Sequence, residues 1–261
     1  MLKQRLITAV VALAVLLLML FAAPRIAAEV AIALVILAAA WEWSGFLGTE
    51  SPATRVFYVI FVAALMVVVG MNWPDNVRLT LQVAVAWWMI ALGWIFFFPT
   101  PIPMLLRWIC GALVLVPLYA ALVLLVQASP SLLLFALLIV WAADIGAYFA
   151  GKRFGRVKLV PGISPGKTWE GVIGGLLLVV VLCVGRSFWF ETNLAVLVPF
   201  CLSVAVISIV GDLTVSMFKR TAGLKDSGRF FPGHGGVLDR IDSVAAAAPL
   251  FALGLGWTGL N

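Results

Sequence analysis

The chain reads as an all-α polytopic integral membrane protein with about nine transmembrane helices, whose polar cytoplasmic loops form the active site. Of its 261 residues, 64% are hydrophobic and only 11% are charged. The apolar residues gather in runs of about 16 to 22, each long enough to cross a hydrocarbon core of roughly 30 Å at about 1.5 Å per residue. What remains between the runs is too short for a soluble domain. Lipid cannot satisfy an open sheet edge, so the spans must be helical.

The expected spans, in chain order, are 6–23, 26–47, 56–71, 79–98, 105–126, 131–150, 172–190, 194–217 and about 237–257. Lys3 and Arg5, followed by an apolar run and by Ala22 and Ala23, have the look of a secretory signal peptide. A second apolar span begins within three residues, however, so a retained first helix turning at Pro24 is the simpler expectation. The first five spans make up an N-terminal region, 1–130, and the last four a C-terminal catalytic region, 131–261. Cys110, Cys183 and Cys201 lie within or beside spans without metal-ligand spacing, so neither disulfides nor zinc are expected.

With nine spans, one side of the membrane holds the N-terminus and the loops after the second, fourth, sixth and eighth helices. Fourteen of the 17 basic residues fall there, and only Arg25, Arg78 and Arg186 fall opposite. That asymmetry makes the basic side cytoplasmic. Orientation and anionic headgroups account for Lys3, Arg5, Arg55 and Arg107. They do not account for the acids among the bases. Asp226, Asp239 and Asp242 contribute nothing to orientation, and Asp144 and Asp212 lie inside spans, where ionisable groups are costly and point to function.

Asp144 stands six residues, roughly 9 Å, below the expected end of the sixth span, and Asp212 lies at a similar depth in the antiparallel eighth. Asp239 and Asp242 share one face of the first turn of the ninth. Four carboxylates at one level would repel unless a cation lay between them. With no histidine or cysteine cluster nearby, that cation should be hard and oxygen-loving, and magnesium fits best. The competing expectation is that Asp226 and Asp242 pair with Arg240, Lys225 or Arg220.

The segment 216–242, SMFKRTAGLKDSGRFFPGHGGVLDRID, surrounds these acids with bases, five glycines and the only histidine. Gly233, Gly235 and Gly236 permit close backbone approach and, with a helix N-terminus, can offer amide N–H groups to an anion. Lys167, Lys219, Arg220, Lys225 and Arg240 add countercharge. Carboxylates, bases and a glycine-rich turn together describe a polyphosphate site. A P-loop is excluded: Gly166-Lys167-Thr168 would require glycine at 161, where the chain has Pro161. His234 alone carries little weight; it either contacts a phosphate or simply packs.

The same segment resembles the signature of the phosphatidate cytidylyltransferases (CDP-diacylglycerol synthases). The pattern is Ser, any, apolar, Lys-Arg, four residues, Lys-Asp, any, small, two residues, apolar, Pro or Gly, any, His-Gly-Gly, apolar, any, Asp-Arg, apolar, Asp. Every specified position is met. WAADIGAYFAGKRFG from Trp141 and ISPGKTWEG from Ile163 are also similar to family segments. The first 130 residues match only as apolar helices, with Glu42 in WEW as the exception to watch.

The resemblance implies an enzyme of the bacterial inner membrane or of organelle membranes, surrounded by membrane lipids. It would join CTP and phosphatidate into CDP-diacylglycerol and pyrophosphate, using magnesium and with room for a second cation. It implies a homodimer and no nucleic-acid partner. A phosphatidate oxygen would attack the α-phosphorus of CTP in line, with no protein nucleophile. Asp144, Asp212, Asp239 and Asp242 would hold metal. Lys167, Ser216, Lys219, Arg220, Lys225, Asp226 and Arg240 would serve the reaction, and Gly233, His234, Gly235 and Gly236 would bind nucleotide. An anion transporter is the more distant rival, since the charge clusters at one face rather than at mid-membrane and no internal repeat is visible. A membrane kinase or a cytidylyltransferase for another lipid phosphate is the nearer one.

Overall fold

A computed structural model describes residues 2–49, 51–228, 230 and 235–258. Nine α-helices occur among them: α1 Leu2–Phe21, α2 Arg25–Ser44, α3 Pro52–Met71, α4 Trp73–Ile95, α5 Met104–Ala128, α6 Pro130–Phe154, α7 Trp169–Ser187, α8 Leu194–Thr221 and α9 Leu238–Thr258. Seven of them, α2 to α8, are long and apolar enough to cross a membrane among the described residues. Local chemistry sets several of the ends. Pro52 and Pro130 open α3 and α6, where a missing N–H is no loss. Thr168 and Asn193 cap α7 and α8 by accepting from Gly171 N at 3.1 Å and Ala195 N at 3.0 Å.

The helices differ from the expected spans mainly at polar ends. α4 begins at Trp73 rather than 79, and α6 continues to Phe154 rather than stopping at 150. Hydropathy marks the part of a helix that lies in lipid, whereas the backbone ladder continues into the headgroup layer. Lys152 and Arg153 occupy the last turn of α6, where cations favour the exposed carbonyls.

A larger departure lies between α6 and α7, where the sequence suggests only a loop. Here β1 Lys158–Val160 and β2 Ser164–Thr168 form an antiparallel hairpin, with Lys158 opposite Thr168 and Val160 opposite Ser164. Glu170 anchors its base by accepting from Val157 N at 3.1 and 3.2 Å. Gly166, Lys167 and Thr168 are therefore strand residues, which a phosphate loop's would not be.

Close helix approach through small side chains holds the C-terminal half together. A Cβ on Gly146 would sit 2.5 Å from the Gly174 carbonyl oxygen, and one on Gly175 would sit 2.5 Å from that of Ala143. α6 and α7 thus meet backbone to backbone, as helices in lipid do when packing rather than water drives them together. α8 meets α9 the same way: a Cβ on Gly211 would lie 2.5 Å from the carbonyl oxygen of Asp242, and Ala245 to Ala248 are buried.

In the N-terminal half, the end of α2 is pinned to the start of α5. Trp43 Nε1 donates to the Arg107 carbonyl at 2.9 Å, and Arg107 donates to the carbonyls of Ile102 and Phe46, both at 2.8 Å. Arg107, expected only to orient the chain, therefore also ties loops together. Trp43 in turn stacks against Phe218 of α8, ring centroids 5.0 Å apart.

Candidate active site

One end of the helix bundle collects the ends of α2, α6 and α8, the hairpin, and the start of α9. Asp212, Ser216 and Lys219 follow one another on one face of α8 at spacings of four and three. Lys167 comes from β2 to place its Nζ 2.7 Å from Asp212 Oδ2. Ser216 Oγ donates to the other oxygen of Asp212 at 3.1 Å. One turn on, Lys219 Nζ lies 2.8 Å from Asp239 Oδ1 and 4.0 Å from Asp242 Oδ2. Asp239 Oδ2 accepts from Ser227 N and Gly236 N, each at 2.9 Å. Asp242 Oδ1 accepts from Ser243 N at 2.8 Å.

Asp144 and Asp212 do reach a common depth, ten and nine residues before the ends of α6 and α8. Asp144 is exposed into a cleft of about 230 Å³ that it lines with Tyr148, Gly166, Lys167 and Thr168. Asp212 lies within electrostatic range of Asp144 and of Asp242, and all three lie within range of Lys167. The cations found between the carboxylates are thus lysine ammonium groups. Asp212 finds its cation not in its own span but in the hairpin. Among the described residues, no three His, Cys, Asp or Glu side chains converge into a ready metal site. The spare donors are all carboxylate oxygens, and Asp144 makes no hydrogen bond or ion pair among the described residues.

Several expected phosphate ligands are engaged elsewhere. Arg220 donates from Nε to the Ile163 carbonyl and from Nη1 to that of Leu224, both at 3.3 Å, joining the hairpin turn to the loop after α8. Lys225 and Asp226 are exposed on that loop, and Arg240 is exposed on α9, so none of the three forms the ion pairs weighed for Asp226 and Asp242. Gly235 adopts the left-handed φ of 79°, open to glycine at little cost. Gly236 gives its N–H to Asp239. Gly233 and His234 lie outside the described residues.

Sequence reasoning passed lightly over Glu42, at the end of α2. Its Oε2 accepts from Ser227 Oγ and Leu238 N, both at 2.8 Å, and its Oε1 accepts from Val237 N at 2.9 Å. The anion seated on the first amides of α9 is therefore this side chain, not a substrate phosphate. The signal in the sequence was an acidic residue inside a predicted span. A second cleft, about 860 Å³, opens beside it between Trp41, Arg55, Leu224, Ser227 and Phe230.

Fold and site together define a class: a helical integral membrane protein with a lysine–carboxylate centre at one end of its bundle. The chain belongs to the cytidylyltransferase family, whose model matches residues 3–256. It is 44% identical to a phosphatidate cytidylyltransferase of Pseudomonas aeruginosa, covering 97% of this chain and 96% of that protein. A phosphatidate cytidylyltransferase of Haemophilus influenzae is 36% identical over 97% of this chain and 98% of its own. One of Staphylococcus aureus is 47% identical over 45% of this chain and 46% of its own.

Proposed function

We propose that this protein transfers the cytidylyl group of CTP to phosphatidate, giving CDP-diacylglycerol and pyrophosphate for phospholipid synthesis. The observation that carries it is near full-length similarity to phosphatidate cytidylyltransferases at 44% and 36% identity. The centre suits the chemistry. A phosphatidate oxygen forms a bond to the α-phosphorus of CTP while the bond from that phosphorus to the β-phosphate bridging oxygen breaks, and pyrophosphate leaves with the electron pair. A phosphate monoester is already ionised near neutral pH, so the protein need only position the reactants and neutralise charge. Lys167 and Lys219 supply positive charge at two neighbouring points of α8, and Ser216 orients Asp212 between them.

Magnesium belongs to the same proposal. Four carboxylates against two paired lysines leave negative charge in excess where a polyphosphate must enter, and the spare donors are hard oxygens. Asp144, Asp212 and Asp242 are the residues that would hold the ion, with Asp239 more fully committed to Lys219 and two amides. A bound divalent cation supplies charge neutralisation on phosphate oxygens. The basic asymmetry supports placement in the bacterial inner membrane with this end facing the cytoplasm: Lys152, Arg153, Lys219 and Arg220 all occupy last turns at this end. A homodimer rests on family resemblance alone.

The test is CTP labelled at the α-phosphorus, incubated with phosphatidate and the purified protein in mixed micelles. Label should enter a lipid product as pyrophosphate is released. Label entering lipid only from γ-labelled CTP would make the protein a kinase, and no covalent product at all would leave transport.

A further inference from the structure

We infer that Glu42 is a positioning residue for the signature segment: a carboxylate supplied by the N-terminal half that ties Ser227 to Val237 and Leu238, so that Asp239 and Lys219 stand in register. The inference rests on the proposed reaction for its kinetic consequences, but its geometry does not depend on it.

Glu42 is only 8% exposed, and burying a carboxylate is costly unless its oxygens are satisfied. Among the described residues no lysine or arginine pairs with it. Three donors from the loop do so instead. Two of them, Val237 N and Leu238 N, stand at the start of α9, where N–H groups lack partners within the helix and the helix dipole favours negative charge. The third, Ser227 Oγ, lies ten residues earlier in the chain. One side chain therefore gathers both ends of the loop.

The fit explains two glycines of the motif without invoking a ligand. A Cβ on Gly228 would lie 2.7 Å from Cδ of Glu42, and a Cβ on Gly236 would lie 2.5 Å from it. Neither glycine has a positive φ, so the reason for its missing side chain is steric. The backbone at these two positions lies too close to the carboxylate to carry one.

The opposite side of the same loop faces Asp239. Ser227 gives its N–H to Asp239 and its hydroxyl to Glu42; Gly236 gives its N–H to Asp239, and the next residue gives its own to Glu42. Asp239 then fixes Lys219 with its remaining oxygen. Glu42 is itself held in place by the neighbouring Trp43, bonded to the Arg107 carbonyl at 2.9 Å. Its oxygens are occupied by the loop, so it acts through Asp239 and Lys219.

The test compares Glu42→Gln, Glu42→Asp and, as a matched acid on the same helix, Glu29→Gln, all in the full chain in lipid–detergent micelles. Gln keeps the shape but turns an NH₂ toward a donor, whereas Asp keeps two acceptors on a shorter stem. Glu42→Gln should lower kcat by roughly a hundredfold, the scale of one to two lost charge-assisted bonds, with Asp retaining more activity than Gln and Glu29→Gln near wild type. Amide exchange should speed up in the 225–240 segment of Glu42→Gln and stay unchanged in α2 and α5. A packing role predicts the reverse order, Gln above Asp, and would overturn the inference, as would exchange accelerated throughout α2 and α5.

A mutant cycle provides the second check. Gly228→Ala should cost about tenfold or more in the wild-type background and nothing further once Glu42 is alanine, because the atom it strikes is gone; additive losses would sink the idea. If the wild type itself made no CDP-diacylglycerol, the reaction would be wrong, while the exchange measurement would still decide the role of Glu42.

Discussion

The two lysine–aspartate pairs of the charged end stand within a few turns of each other yet differ in surroundings. Lys167, which lines the cleft beside Asp144, pairs with Asp212, their side chains 25% and 28% exposed, with one supporting hydroxyl. Lys219 and Asp239 are 10% and 7% exposed, and two backbone amides hold the aspartate. Removing one partner of a buried pair strands a charge, at a cost of about 3–5 kcal/mol. A pair more open to solvent is screened and contributes less, down to roughly 0–1 kcal/mol at the surface. The inner pair thus builds the site, and the outer pair has charge to give to a substrate.

Four substitutions can break or refine that division. The largest effect belongs to Lys219→Met, which leaves Asp239 and Asp242 facing each other. It should destabilise the protein by about 3–5 kcal/mol and end turnover. A thermal unfolding midpoint in detergent equal to the wild type's would erase the distinction between the pairs.

Asp212→Asn comes next. It preserves shape while removing the charge that faces Lys167, so turnover should fall by roughly a hundredfold or more and stability by less than for Lys219→Met. Near-normal activity at ordinary magnesium would remove Asp212 from the reaction. Lys167→Ala should lower kcat/KM for CTP by about tenfold to a hundredfold, again with little change in melting. If its loss appeared in stability instead, the outer pair would be structural like the inner one.

Lys225→Ala is expected to have the smallest effect. From sequence, Lys225 ranks with Lys219 as a phosphate clamp, but it is exposed on the loop, so its kcat/KM for CTP should fall by less than about tenfold. A drop as large as that of Lys167→Ala would bring it back into contact with the nucleotide.

Much of the molecule is legible in the sequence. Apolar run length marked the nine helices found among the described residues, seven of them long and apolar enough to cross a membrane, because a backbone in lipid has one way to satisfy itself. Acids inside spans, at Asp144 and Asp212, pointed to the end of the bundle where lysines and carboxylates gather, because charge is costly in lipid. The hairpin at 158–168 was not legible: SPGKT has no alternating pattern, and its pairing depends on anchors such as Glu170. Helix ends slipped because hydropathy reports the lipid boundary rather than the hydrogen-bond ladder.

Sequence alone determined the class of the protein and the end of the bundle at which its charged residues gather, since the cost of placing charge and open backbone in lipid leaves few alternatives. Only the tertiary structure decided which charges pair. Lys167 and Asp212 are 45 residues apart and Glu42 and Val237 are 195 apart, distances over which a linear chain carries no pairing signal. Asp212 faced a lysine from the hairpin, and the first amides of α9 were already filled by Glu42, because a buried carboxylate and a bare helix N-terminus satisfy each other wherever the fold brings them together.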